Sequence, residues 1–194
     1  MLASFIRHGL TQEQAESEAL LQIGAGSETT ATSIRFVMLN LLCNPAAYQK
    51  LQAEIDNGIR DGVISSPIKD SEARNMPYLQ AVIKEGLRIM PPAAAPFFKM
   101  VPPEGDVIDG KFIPGGTQIG TSVFGLQHNP KIFGNDAAIY RPERWLEADK
   151  EQLIGMVTAV DLNFHHGKYQ CLGKPVAHME MNKFFVEVRE TPIF

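Results

Sequence analysis

One cysteine in this chain sits in a setting that could bind a metal. In Phe164-His165-His166-Gly167-Lys168-Tyr169-Gln170-Cys171-Leu172-Gly173, Cys171 lies between two glycines and just ahead of an amphipathic stretch. Gly167 and Gly173 would let backbone approach something flat, where a Cβ would collide. Val176, Met179, Met181, Phe184, Phe185 and Val188 then recur at roughly the spacing of one buried helix face. A sulfur at the N-terminus of such a helix sees the positive end of the macrodipole, which favours thiolate over thiol. A thiolate beneath a planar surface reads as an axial ligand to haem iron. The plainer alternative is a small buried hydrophobe, the commoner role of a lone cysteine.

Two further groups of residues could do chemistry. Gly24, Gly26, Ser27, Thr29, Thr30, Thr32 and Ser33 crowd the middle of a long helical pattern, where each glycine costs about 1 kcal/mol relative to alanine. Thr29 can return its hydroxyl to the carbonyl of Ala25 and bend the helix. A small-residue wall bearing Glu28 and Thr29 offers room for a ligand and a proton path; a close helix crossing explains it equally well. Glu85 and Arg88 place opposite charges at i and i+3. A solvated pair would contribute little. If the stripe Tyr78, Ala81, Glu85, Arg88 is covered, the pair becomes a buried lock, and Arg144 of Tyr140-Arg141-Pro142-Glu143-Arg144-Trp145 is the candidate third partner.

Helices must carry most of these residues. Thr11-Gln12-Glu13-Gln14 is a capping box opening a helix to about Cys43, with Ile34, Val37, Met38, Leu41 and Leu42 on one buried face. Cys43, at the end of that run, is expected in the core. Asn44-Pro45 caps and starts a second helix, which runs to about Asn57-Gly58 with Tyr48, Leu51 and Ile55 on one side. Pro77 opens a third, closed by Pro91-Pro92. Strands follow, with turns at Asp109-Gly110 and Pro114-Gly115-Gly116. Residues 122–145 read as irregular, leading to the cysteine loop and a last helix from about Cys171 to Arg189. The pattern predicts a mainly α chain with a small β-sheet, one unit without a linker.

Composition narrows the function classes. The chain has 194 residues, 44% of them apolar, enough for one sizeable core. A net charge of −4 gives no nucleic-acid footprint. Two cysteines make neither a disulfide framework nor a zinc cluster. No apolar run reaches the length of a membrane span, and the first ten residues do not form a signal peptide.

Together these motifs resemble the cytochrome P-450 superfamily, the haem-thiolate monooxygenases, in fungal members of the pisatin-demethylase kind. Ala25-Gly26-Ser27-Glu28-Thr29-Thr30 is similar to its oxygen-activation motif, Glu85-x-x-Arg88 to its K-helix motif, and Pro142-Glu143-Arg144-Trp145 to the element completing a Glu-Arg-Arg triad. Phe164-x-x-Gly167 through Cys171-Leu172-Gly173 is similar to its haem-binding loop. The resemblance implies residues 1–194 as the C-terminal haem-binding part of that fold (the I, J, K and L helices plus the cysteine loop), without the N-terminal half, its membrane anchor or most of the substrate pocket's roof. It leaves the Ile34, Val37, Met38 and Leu41 face short of neighbours. It implies haem b held by Cys171 as iron ligand, with Phe164, Gly167, Lys168, Tyr169, Gly173 and Lys99 around the cofactor. Glu28 and Thr29 would be catalytic, hydrogen-bonding dioxygen and relaying protons; Glu85, Arg88 and Arg144 would be structural. The implied partners are O₂, a small apolar organic substrate and a NADPH-dependent reductase, with no nucleic acid; turnover driven by peroxide is a further possibility. A full-length fungal relative would sit at the endoplasmic reticulum membrane, although this chain shows no anchor or signal. Two positions depart from the family. Tyr169 stands where a basic residue usually holds a haem propionate, and Lys99 where arginine is common, so a point charge replaces a fork. A non-catalytic fragment with weak or no haem binding is the alternative.

Overall fold

Thr11 starts the long helix by a reciprocal cap. Its Oγ1 accepts from the Gln14 amide (3.3 Å) while its own amide donates to Gln14 Oε1 (2.9 Å), satisfying two donors that a helix start otherwise leaves free. In the computed structural model, which describes residues 2–190, a short α1 (Leu2–Arg7) precedes α2, unbroken from Gln12 to Cys43. Then come α3 (Pro45–Arg60), α4 (Asp70–Ala73) and α5 (Pro77–Ile89). α3 and α5 both open on proline, whose missing N–H is no loss at a first helical position. Asn44 occupies the cap position of α3 without capping it: its Nδ2 donates back to Asn40 O (2.7 Å). α3 also continues beyond Asn57-Gly58, to Arg60.

The β-structure is small. β1 (Lys99–Met100) pairs antiparallel with β4 (Gln118–Ile119), Lys99 opposite Ile119. β2 (Asp106–Ile108) and β3 (Lys111–Ile113) form a hairpin with Ile108 opposite Lys111. Its two turn residues, Asp109 and Gly110, have φ of 51° and 71°, the left-handed pair that matches strand twist.

Residues 122–145, expected to be irregular, contain α6 (Val123–Gln127), α7 (Pro130–Phe133) and α8 (Arg144–Glu147). Ser122 Oγ caps α6 and Asn129 Oδ1 caps α7. α9 (Lys150–Asp161) was not anticipated. Two 3₁₀ turns, Leu162–Phe164 and Gly167–Tyr169, lead to α10 (Lys174–Glu190).

α5 is the central element. It packs against α2, α3, α8, α9 and α10, and Leu79, Val82, Ile83 and Leu87 join Val37, Leu41, Leu51, Ile55, Met181 and Phe185 in one core. α5 approaches α2 at Gly86, where a Cβ would stand 2.2 Å from Val37 Cγ2. Only glycine permits that approach. Val37 and Leu41 are buried, Ile34 and Met38 pack on the core's edge, and Leu42 is 55% exposed. The 34–41 face therefore has its neighbours in α5 and α10, contrary to expectation. The uncovered apolar residues of α2 are Leu20, Leu21 and Ile23, in its N-terminal half. Tyr48 faces outward on α3, and Cys43 is exposed in the last turn of α2 rather than buried. No helix among the described residues is long and apolar enough to cross a membrane.

Candidate functional site

Glu85 is fully buried, and five N–H groups converge on its carboxylate. Arg88 Nε donates to Oε2 and Arg88 Nη2 to Oε1, both at 2.8 Å. Arg144 Nε (2.9 Å) and the Arg141 amide (2.8 Å) reach Oε1, and Trp145 Nε1 (2.9 Å) reaches Oε2. Arg88, also fully buried, uses its remaining donors on the carbonyls of Gln127, Ala137 and Ile139. Arg144 does likewise on Phe133 O, Asp136 O and Ile139 O, and its Nη1 reaches Asp136 Oδ1 (2.9 Å). A buried carboxylate is tolerable only when so thoroughly paired. The cluster's bonds shift their surroundings. The Arg144 guanidinium holds the Asp136 carboxyl below its ordinary range, and burial pushes the Tyr140 phenol well up, with Glu85 adding to it.

The pair at 85 and 88 is therefore enclosed, and Arg144 joins it. Trp145, quoted above only as the end of its motif, and Asp136, which the sequence did not single out, complete the cluster. A second set was also missed. The buried Gln127 amide, oriented so that its NH₂ faces acceptors, donates to Leu87 O (3.1 Å) and Arg88 O (2.8 Å). Asn163 Nδ2 donates to Leu87 O (3.0 Å). These amides tie the end of α5 to the residue before Phe164; an isolated Gln or Asn in sequence carries no signal for such a role.

From Asn163 the chain enters the cysteine loop. Phe164 is buried, its ring 5.1 Å from that of His178, and burial lowers the His178 pKa. The Cys171 amide donates to Phe164 O (2.7 Å), closing the loop. Gly167 has φ of +65°, which its glycine permits. A Cβ on Gly173 would make only ordinary contact with Cys171 Sγ, at 3.7 Å. Cys171 is exposed, so it is not a core hydrophobe. α10 begins at Lys174, three residues later than expected, and Val176 and Met179 of the expected buried face are exposed, whereas Met181, Phe185 and Val186 are buried. Cys171 thus lies outside the helix proper, with its sulfur close to Gly173, the residue before α10.

Tyr169 is exposed, with Lys99 Nζ 5.4 Å and Lys168 Nζ 5.6 Å from its ring centre. Both ammoniums gain from the ring's negative face. Glu28 and Thr29 lie on an exposed stretch of α2. Thr29 Oγ1 donates to Ala25 O (2.8 Å), Ser27 Oγ to Ile23 O (2.7 Å) and Ser33 Oγ to Thr29 O (2.9 Å). No hydrogen bond joins Glu28 or Thr29 to the cysteine loop among the described residues. A cavity of about 480 Å³ opens beside that loop, lined by Phe97, Lys99, Ile113, Ile119, Thr121, His165 and His166 among others. Cys171 does not line it.

The family model described as "Cytochrome P450" matches residues 3–188. A "Cytochrome P450 monooxygenase ABA1" of Pyricularia oryzae is 48% identical over 97% of this chain and 37% of its own length. A "Cytochrome P450 monooxygenase aba1" of Botryotinia fuckeliana is 46% identical over 97% of this chain and 37% of its own. A "Pisatin demethylase" of Fusarium vanettenii is 40% identical over 92% of this chain and 33% of its own. The chain thus spans little more than a third of these relatives.

Proposed function

Because the chain belongs to the cytochrome P450 family, we propose that it forms the C-terminal haem-binding part of a haem-thiolate monooxygenase. The observation that carries this reading is the exposed Cys171 thiol in a loop closed by its own amide on Phe164 O. The donor set suits haem: one soft sulfur ligand on an exposed loop, and the Lys99 and Lys168 ammoniums free of carboxylate partners among the described residues. When bound, haem b would supply the redox chemistry that inserts one oxygen atom of O₂ into an organic substrate, with electrons from a NADPH-dependent reductase.

This chain's residues have simpler tasks. Cys171 would hold the iron, with Phe164, Gly167 and Gly173 shaping its loop. Lys99, Lys168 and the Tyr169 hydroxyl would hold the propionates. The Thr29 hydroxyl, now resting on Ala25 O, would turn to order a proton path, with the Glu28 carboxyl taking up and releasing protons at its exposed end. Glu85, Arg88 and Arg144 would fix α5, and through Gln127 and Asn163 the start of the cysteine loop. The implied substrate is a small apolar organic molecule, and the endoplasmic reticulum membrane is the implied location of a full-length relative. A second reading, a fragment that binds haem weakly or not at all, draws support from exposed Leu20, Leu21 and Ile23.

The reduced carbon-monoxide spectrum of the purified chain, reconstituted with haem, tests both. A strongly red-shifted Soret band that is lost in Cys171→Ser and kept in Cys43→Ser is the expected outcome. Absence of any haem spectrum favours the second reading, and retention of the band in Cys171→Ser would reassign the ligand.

A further inference from the structure

His165 has a backbone that its residue type rarely adopts. Its φ is 58° and ψ −171°, a combination glycine takes freely and a residue with a Cβ avoids. Among the described residues, the only other non-glycine with positive φ is Asp109, in the hairpin turn that requires it. His165 closes the Leu162–Phe164 turn, its amide donating to Leu162 O at 3.0 Å, a bond that a glycine in this place would make as well. Its ring makes no hydrogen bond among the described residues and stands perpendicular to that of Phe97, at 4.3 Å between centres and 89° between planes.

The conformation does put the imidazole on the wall of the 480 Å³ cavity, beside Lys99, Thr121 and His166, with Phe97, Ile113 and Ile119 supplying apolar surface. Lys99 has no carboxylate partner among the described residues; its ammonium rests near the Tyr169 ring. A cation, a hydroxyl and imidazoles on one wall of an otherwise apolar cavity suit the carboxylate-bearing edge of an apolar ligand. An imidazole N–H can donate to a carboxylate whether the ring is neutral or charged.

We propose that His165 is a binding residue for a haem carboxylate, held in a strained backbone so that its imidazole stands beside Lys99 in this cavity. The inference rests on the haem-binding reading above. It assigns part of the anionic edge to a residue outside the position that Tyr169 occupies, where a basic side chain is absent.

Two porphyrins separate the possibilities: haem and haem dimethyl ester, whose carboxylates are blocked. Each is titrated into the full chain and followed by Soret absorbance, and the haem-free chain is melted separately. His165→Gly and His165→Ala are both expected to bind haem about tenfold more weakly, the size of one charge-assisted hydrogen bond. Affinity for the diester should stay within about twofold of the parent. Haem-free His165→Gly should melt about 2–4 °C above the parent, because glycine releases the strain, while His165→Ala, which keeps the Cβ, should not. Variants that bind haem as tightly as a haem-binding parent would overturn the role of His165 alone. Equal weakening for haem and diester, or a His165→Gly that melts below the parent, would make the residue merely structural and overturn it too. A parent that binds neither porphyrin overturns the haem reading and this inference together.

Discussion

Arg88→Ala is expected to lower the melting temperature of the chain by about 10–20 °C. Glu85 and Arg88 are both fully buried, and removing one partner of such a pair costs roughly 3–5 kcal/mol. Arg144, Trp145 and the Arg141 amide would remain on Glu85, which holds that part near the lower end. Ile139 O would keep its bond from Arg144. Gln127 O and Ala137 O would each lose Arg88 as donor, adding about 1 kcal/mol apiece. The stacking of the guanidinium on Phe133, at 5.0 Å, would vanish as well. The sum is about 5 kcal/mol, a large share of the roughly 5–15 kcal/mol that stabilises a domain, and about 2–4 °C accompanies each kcal/mol at this chain length. Circular dichroism of the haem-free chain through a thermal ramp at neutral pH measures it, with Arg88→Lys as companion. Lysine restores the charge but not the fork, so it should recover only part of the loss. A fall of less than about 3 °C in Arg88→Ala is what a solvent-exposed pair would give, and would refute the claim that the cluster bears the load of this fold.

Three other perturbations have definite expected outcomes. Gly86→Ala should destabilise by about 1–3 kcal/mol, because its Cβ meets Val37 Cγ2 at 2.2 Å and lies 3.3 Å from the Val37 Cα; Val37→Ala added to it should restore part of the loss in urea titrations, and no recovery would mean that the crossing is not limited there. Glu72 accepts from the Ser65 amide, the Ser65 hydroxyl and the Lys69 amide, and the Ser65 bonds lead in holding its pKa at about 2 against an ordinary 4.5. The folded state thus binds its proton less readily than the unfolded chain, so this stabilisation is complete above pH 4.5 and is lost as pH falls toward 2; urea midpoints of Glu72→Gln should show a shallower acid decline in that window, and an unchanged slope would exclude the group. Thr29→Ala, placed in a full-length relative, should leave haem uptake intact but divert oxygen consumption from product to peroxide; product still matching NADPH used would end the proton-path reading.

The sequence exposes some of this architecture and conceals the rest for physical reasons. Thr11, Gln14, Pro45 and Pro77 act on their own neighbours, so the starts of α2, α3 and α5 can be read directly. Glu85 and Arg88 are adjacent on one helix face, and their pairing is equally local. Trp145 and Asp136 reach the same carboxylate and guanidinium across about sixty and eight residues, and no periodicity reports such a meeting. α9 was readable: Asp149 caps it through the Gln152 amide, and Leu153, Met156, Val157 and Val160 recur at i, i+3, i+4 and i+7. α6, α7 and α8 are too short to develop a period. Cys43 shows the opposite error, since an apolar run suggested burial although the last turn of α2 faces outward there.

The distribution of bonds around Glu85 also bears on which parts of the chain open first. The segment between Gln127 and Arg144 has little regular structure, yet its carbonyls at 127, 133, 136, 137 and 139 are held by two buried guanidinium groups. Freeing any stretch of it means dismantling the charge cluster, so its fluctuations cost nearly as much as unfolding the whole core. The N-terminal half of α2 is regular throughout, but from Glu16 to Thr29 its side chains are mostly exposed and packed on little, so it can fray turn by turn at small expense. In this chain, regularity and rigidity are inverted: the loops form the anchored part, and the longest helix supplies the pliable arm on which Glu28 and Thr29 ride.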